Sequence, residues 1–149
     1  MVQKAKKLLG VDFGEARTGL AYSDDLGLCA IAMGNVKSYN RKKAAKEIAE
    51  KAAEIGAELI VMGKPLNMDG TAGEKVEAVK EFAAMIAEYT STPIEFYDER
   101  LSTVSAHRFL SEGMGVKAKK HKNIVDSLAA EIILQSYMDS KKNKLIIKI

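Results

Sequence analysis

Three short apolar segments near the N-terminus, separated by tight turns, most constrain what this chain can fold into. Leu8 to Phe13, Thr18 to Ser23 and Leu28 to Val36 read as strands, joined by Gly14-Glu15-Ala16 and Asp24-Asp25-Leu26-Gly27. Connections this short favour antiparallel neighbours, so a three-stranded meander is expected. The pattern then changes. Arg41 to Ile55 is rich in Ala, Lys and Glu and meets Gly56, a helix stop. Leu59 to Met62 is a short apolar strand, and Gly63 to Gly70 reads as a loop. A second helix, from Gly73 or Glu74 to Tyr89, carries Val76, Val79, Phe82, Ala83 and Ile86 on one stripe. Pro93 opens a strand running to Tyr97. Helices follow over Thr103 to Leu110, with Ser102 as cap, and from about Asn123 to Tyr137. Leu145 to Ile149 fits an edge strand or a frayed end. The order βββαβαβαα predicts an α/β fold: a mixed five-stranded sheet, three strands antiparallel and the later ones parallel, with helices on both faces. Residues 1–149 are expected to form one domain.

Acidic side chains interrupt the apolar elements. Asp12 lies within Leu8-Leu9-Gly10-Val11-Asp12-Phe13-Gly14, Asp98-Glu99 ends the run Ile94-Glu95-Phe96-Tyr97, and Asp126 sits in Ile124-Val125-Asp126-Ser127-Leu128-Ala129-Ala130. A charge inside an apolar element is costly unless something compensates it, so a shared cation is one explanation. Alternation puts Leu8, Gly10 and Asp12 on one strand face, with Gly10 and Gly14 leaving the backbone bare on either side. Asp126 shares its helix face with Ala129, Ala130 and Ile133, and the two alanines let that helix lie close to a sheet. Blander readings compete. Asp12 could simply bond turn amides, and Asp126 could favour a helix dipole. Parity sends Asp98 and Glu99 to opposite faces without saying which one meets Asp12. Carboxylate oxygens suit Mg²⁺ or Mn²⁺, and two such ions about 4 Å apart clamp an in-line phosphoryl transfer.

Charge adds a candidate surface. The net charge of +3 is mild, but Lys117, Lys119, Lys120 and Lys122 cluster around His121. Such a run is either a solvated face or a strip that contacts phosphates. Lys141, Lys142, Lys144 and Lys148 follow near the C-terminus. His107 and His121 lack metal-site spacing. Cys29 is the only cysteine, which excludes an internal disulfide, and no apolar run reaches the roughly 18 residues of a membrane span. The basic start, Met1 to Lys7, soon meets Asp12 and Glu15, unlike a signal peptide, so the cytoplasm is the expected compartment. Asp12-Phe13-Gly14 spells a kinase triplet at the wrong end of too short a chain, and Gly70 to Lys75 is not a Walker-type phosphate loop.

Four blocks together resemble the YqgF/RuvX family, Holliday junction resolvase-like proteins linked to pre-16S rRNA maturation. They are Leu9 to Gly14 with Arg17-Thr18-Gly19-Leu20-Ala21 and Ser23-Asp24; Gly63 to Gly70; Asp98-Glu99-Arg100-Leu101-Ser102-Thr103; and Lys119-Lys120 with Asp126 to Ala130. The resemblance spans almost the whole chain. It implies an RNase H-like fold, whose order βββαβα agrees with the reading above. It also implies metal ligation by Asp12, Asp126 and one acid of the Asp98-Glu99 pair, Glu99 first and Asp98 second. Arg17 and Arg100 look like phosphate or structural contacts, since a guanidinium fork suits a phosphate. Lys64 stands where the family commonly has leucine, and Glu15-Ala16 where a more basic pair is common. Neither departure touches the acids.

The expected function is a Mg²⁺- or Mn²⁺-dependent nuclease acting on structured RNA at the 5′ end of precursor 16S rRNA, with pre-ribosomal particles as partners. Cleavage of four-way DNA junctions and a non-catalytic nucleic-acid-binding module are the alternatives. Either a monomer or a homodimer is compatible with the sequence. An actin-like kinase would need two such domains closing over a nucleotide, and this chain has the length of one.

Overall fold

The computed structural model describes residues 5–104 and 122–147, the last stretch with side chains at 127–142. Its sheet contains β1 (Leu8–Asp12), β2 (Arg17–Ser23), β3 (Ala30–Lys37), β4 (Leu59–Lys64) and β5 (Ile94–Asp98). The strand order is β3-β2-β1-β4-β5. The first three strands pair antiparallel, and β4 joins β1 and β5 in parallel. The helices are α1 (Arg41–Ile55), α2 (Glu74–Ala87) and α3 (Lys122–Ile147), with a 3₁₀ turn at Glu99–Leu101. None of the described helices is long and apolar enough to cross a membrane.

Alternation along the strands divides the core between the two faces. Leu9, Val11, Ile60 and Met62 point to one face and pack on Ala45, Ile48, Val79, Phe82 and Ile86 of α1 and α2. Leu8, Ala21 and Val61 point to the other and pack on Ala130, Leu134, Tyr137 and Met138 of α3. Each large apolar side chain so buried contributes roughly 1.5–3 kcal/mol. At the ends of α1, the Asn40 side chain accepts from the Lys43 amide (3.1 Å) and Gly56 adopts φ 67°. Both serve orphan backbone groups of the helix.

The structure moves several expected boundaries. β3 starts at Ala30 instead of Leu28 because the Asp24 carboxylate accepts from the amides of Leu28 (2.7 Å) and Cys29 (3.2 Å), holding that stretch as a loop. β4 extends through Gly63 and Lys64, which pair with Tyr97 and Asp98, so the expected loop begins only at Pro65. The last helix runs to Ile147, so residues 145–147 are helical and form no edge strand. Neither Gly nor Pro interrupts the chain after Gly115, and Tyr137 and Met138 continue the buried stripe. The Ser102 hydroxyl accepts from the Val104 amide (3.3 Å), as the expected cap should. Most of the helix expected over Thr103 to Leu110 lies outside the described residues.

α3 approaches the sheet backbone closely at Gly10. A Cβ built there would lie 2.9 Å from Leu134 Cβ and 3.3 Å from the Ala130 carbonyl oxygen. The obstacles are a helix backbone atom and a Cβ, neither of which can rotate away. Gly10→Ala should therefore push α3 outward and cost about 1–3 kcal/mol. The check is urea unfolding: a lowered midpoint with unchanged slope is expected, and an unaltered midpoint would refute the close approach.

Candidate active site

The acidic residues gather at the C-terminal ends of the parallel strands. Asp12 ends β1 and belongs by alternation to the Leu8–Gly10 face that α3 covers. It is 5% exposed. The turn after it is fixed by small polar groups: the Gly14 amide donates to Thr18 Oγ1 (3.4 Å), and Ser38 Oγ donates to the Gly14 carbonyl. Thr18 and Ser38 are both buried. Phe13 points the opposite way, with its ring 4.6 Å from that of Phe82 and the Arg41 guanidinium 5.3 Å above it.

β4 brings a glycine between the acids. Val11 pairs with Met62, so one step further along these parallel strands Asp12 stands beside Gly63. On its other side Gly63 pairs with Tyr97 of β5. A Cβ at Gly63 would lie 2.6 Å from Glu99 Oε1 and 2.7 Å from Ile133 Cδ1 of α3. The missing side chain is thus what lets the Glu99 carboxylate fold over β4 toward Asp12. Glu99, like Asp12, is 5% exposed. Its carbonyl accepts from the Ser102 amide (3.1 Å) and hydroxyl (2.9 Å), which fixes the turn that carries it. Asp12, Arg17 and Glu99 each engage further partners.

Asp98 and Glu99 separate as parity requires. The Arg100 guanidinium grips Asp98 through Nε (3.1 and 3.0 Å) and Nη2 (2.7 Å), and Asp98 Oδ1 also accepts the Arg100 amide (2.9 Å). This pairing holds the Asp98 carboxyl below its ordinary range and raises the Arg100 guanidinium. Arg100 Nη1 also donates to the Met68 carbonyl (3.4 Å) and lies over Gly70, whose φ is +88°. That ties the 65–71 loop to the Glu99 turn. Inside the loop, Asp69 accepts from the Thr71 amide (2.9 Å) and hydroxyl (2.6 Å), and those bonds lower its pKa.

Asp126 lies on α3, and its side chain is outside the described residues. Its backbone position is still informative. Ala130 sits against Gly10, and α3 runs antiparallel to β1. The four helical residues back to Asp126 cover about 6 Å, close to the roughly 6.7 Å of two strand residues. Asp126 therefore belongs to the Asp12 end of β1. Lys117, Lys119, Lys120 and His121 lie outside the described residues, as does the side chain of Lys122. Arg17 opens β2, half-buried.

These residues suit a divalent cation: Asp12 and Glu99 offer hard carboxylate donors on either side of the bare backbone at Gly63. Glu99 also lines a cleft of about 430 Å³ with Phe13, Gly14, Pro65, Lys75 and Val79. Among the described residues no three acidic, His or Cys side chains gather; the expected trio includes Asp126. Sequence reasoning assigned no role to Gly63, Ser127 or Gly34. A glycine inside a strand pattern was the available signal for Gly34.

Asp98 gives a pH prediction. Its folded-state pKa is depressed, so its contribution is present above the unfolded value and is lost as pH falls through the folded one. Asp98→Asn should flatten the loss of stability below about pH 4. Urea midpoints measured against pH for both proteins test this, and parallel curves would contradict it.

Comparison with known proteins finds relatives over nearly the whole chain. A relative from Ruminiclostridium cellulolyticum named "Putative pre-16S rRNA nuclease" is 42% identical over 134 residues, covering 89% of this chain and 94% of its own. One of the same name from Geobacillus kaustophilus is 41% identical over 141 residues, covering 91% and 99%. Among solved structures, T. thermophilus RuvC in complex with Holliday junction substrate superposes with a TM-score of 0.56 at 17% identity, covering 93% of this chain and 97% of that one. The Fowlpox virus resolvase complexed with Holliday junction DNA gives 0.51 at 14% identity, covering 90% and 97%. These likenesses show an RNase H-like fold. A family model described as RuvX, Holliday junction resolvase, matches residues 6–140, and the chain belongs to that family.

Proposed function

We propose that this chain is a divalent-metal-dependent nuclease that hydrolyses phosphodiester bonds of structured RNA, in 5′-end maturation of precursor 16S rRNA. The observation that carries the reading is the pair of buried carboxylates, Asp12 and Glu99, brought to one sheet face by the strand register and the bare backbone at Gly63. The name shared by relatives about two-fifths identical supplies the substrate class. Residues 1–149 act as one domain in this reading, and its substrate places it in the cytoplasm.

Asp12, Glu99 and Asp126 would hold Mg²⁺ or Mn²⁺, two ions in the full site. When bound, such ions polarise a water and neutralise charge on the phosphate. The protein side supplies the rest. The Thr18–Ser38 clasp on Gly14 and the Ser102 bonds to Glu99 keep both acids in place before substrate arrives. Asp98 serves Arg100, and Arg100 steadies the 65–71 loop at the rim. Arg17 and the lysines at 117, 119, 120 and 122 contact phosphates along the bound strand.

Cleavage of four-way DNA junctions is the second reading, favoured by the family's description. Symmetric resolution needs two active sites, hence a stable dimer. Gel filtration beside cleavage of both substrates separates the two, and obligate monomer behaviour counts against resolution.

Two predictions test the nuclease. Asp12→Asn and Glu99→Gln should each lower the cleavage rate of a precursor rRNA fragment about a hundredfold or more, while filter binding of that RNA persists. Asp98→Asn should lower the rate less than either, since Asp98 acts through Arg100. An undiminished rate in Asp12→Asn ends the catalytic assignment. Neutralising Lys117, Lys119, Lys120 and Lys122 should flatten the dependence of log affinity on log salt. An identical slope would leave those lysines as plain surface.

A further inference from the structure

β3 contains an irregularity that the site so far leaves unexplained. Gly19 pairs with Asn35 and Ala21 with Ala32, so Leu20 alone stands opposite two residues, Met33 and Gly34. That is a bulge. Gly34 takes φ +85°, a conformation that favours glycine, and a Cβ there would meet nothing within 4 Å. The backbone turn, not packing, demands the glycine. A bulge disrupts the ladder locally, and the Gly34 amide turns to the hydroxyl of Ser127 on α3, 3.1 Å away. Ser127 is 7% exposed.

A second tie lies eight residues along the same helix, about 12 Å away. Gln135 Oε1 accepts the Ala30 amide (2.8 Å), and its Nε2 donates to the Leu28 carbonyl (3.0 Å). The helix is therefore stitched to β3 and the loop before it at two levels. Apolar contacts alone would let α3 slide or rotate at small cost, since burial is non-directional. Hydrogen bonds to fixed backbone atoms do not allow that. The upper tie sits at the residue next to Asp126.

We infer that Ser127, engaged by the Gly34 bulge, is a positioning residue that sets the register of α3 and so delivers Asp126 to the Asp12–Glu99 end of the sheet. The inference rests on the metal-site reading above. Gln135 secures the distal part of the helix and has no such effect on Asp126. A bulge beside a functional site commonly re-aims a neighbouring group. Here it re-aims an amide, and the amide holds a helix.

The test uses Mn²⁺ as probe, titrated calorimetrically into the full-length protein without RNA, alongside Tm and amide exchange. Ser127→Ala should weaken Mn²⁺ binding about tenfold or more and speed exchange at the Gly34 amide. Ser127→Thr, which keeps the hydroxyl, should restore both to within about threefold of the parent. Gln135→Ala should lower Tm while leaving Mn²⁺ affinity near that of the parent. Parent-like affinity in Ser127→Ala overturns the positioning role, as does equal weakening in Gln135→Ala. If Ser127→Ala does not fold, a Ser127→Thr variant that folds yet stays tenfold weaker overturns it as well. Asp12→Asn separates the two layers: if it binds Mn²⁺ like the parent, the metal site itself is wrong and the positioning role falls with it. If Asp12→Asn fails to bind and Ser127→Ala binds normally, only the positioning role is lost.

Discussion

The contact on which the rest of this structure depends is the seating of α3 directly on the sheet backbone at Gly10 and Gly63. A helix normally stands off a sheet by the thickness of two side-chain layers. Here one layer is missing at these two glycines, and Ala130, Ile133 and Leu134 sit against main chain. Dispersion between closely packed atoms is weak singly and large in sum. Close seating also brings the N-terminal end of the helix down to the strand ends, where acids from separate parts of the chain can meet.

Burying an acid opposes stability unless partners compensate it, and Asp12 and Glu99 are both engaged. An ionised carboxylate removed from water is costly without compensation, and Asp12 and Glu99 are both almost fully removed. Their neighbour Asp98 follows the other course, staying near the surface and satisfied by an adjacent guanidinium. Two consecutive acidic residues thus face opposite environments because a strand ends between them. One is gripped by Arg100 near the surface, and the other is buried against the bare backbone of Gly63.

Much of this was legible in the sequence. The alternation along β1 separated Leu8 from Leu9 and Val11 as the structure does, and Ala129 and Ala130 foretold a close helix. Arg41 to Ile55 matched its helix at both ends because cap and stop are local signals. The misses have physical causes. Residues 145–147 look strand-like by composition, yet the helix before them meets no breaker. The start of β3 was displaced by a side-chain bond from Asp24, which propensity does not record. Parity could not choose between Asp98 and Glu99, because the choice depends on which sheet face the last helix covers. Gly63 read as loop, since nothing local reveals that a glutamate from another strand will lie across it.

The grip of Arg100 has a mechanical side. One guanidinium holds the carboxylate before Glu99 and the carbonyl at the crest of the 65–71 loop. The rim of the cleft and the floor of the acidic hollow are therefore coupled through a single rigid planar group. Any displacement of the loop crest therefore bears on the same fork that holds the carboxylate at the head of the 3₁₀ turn.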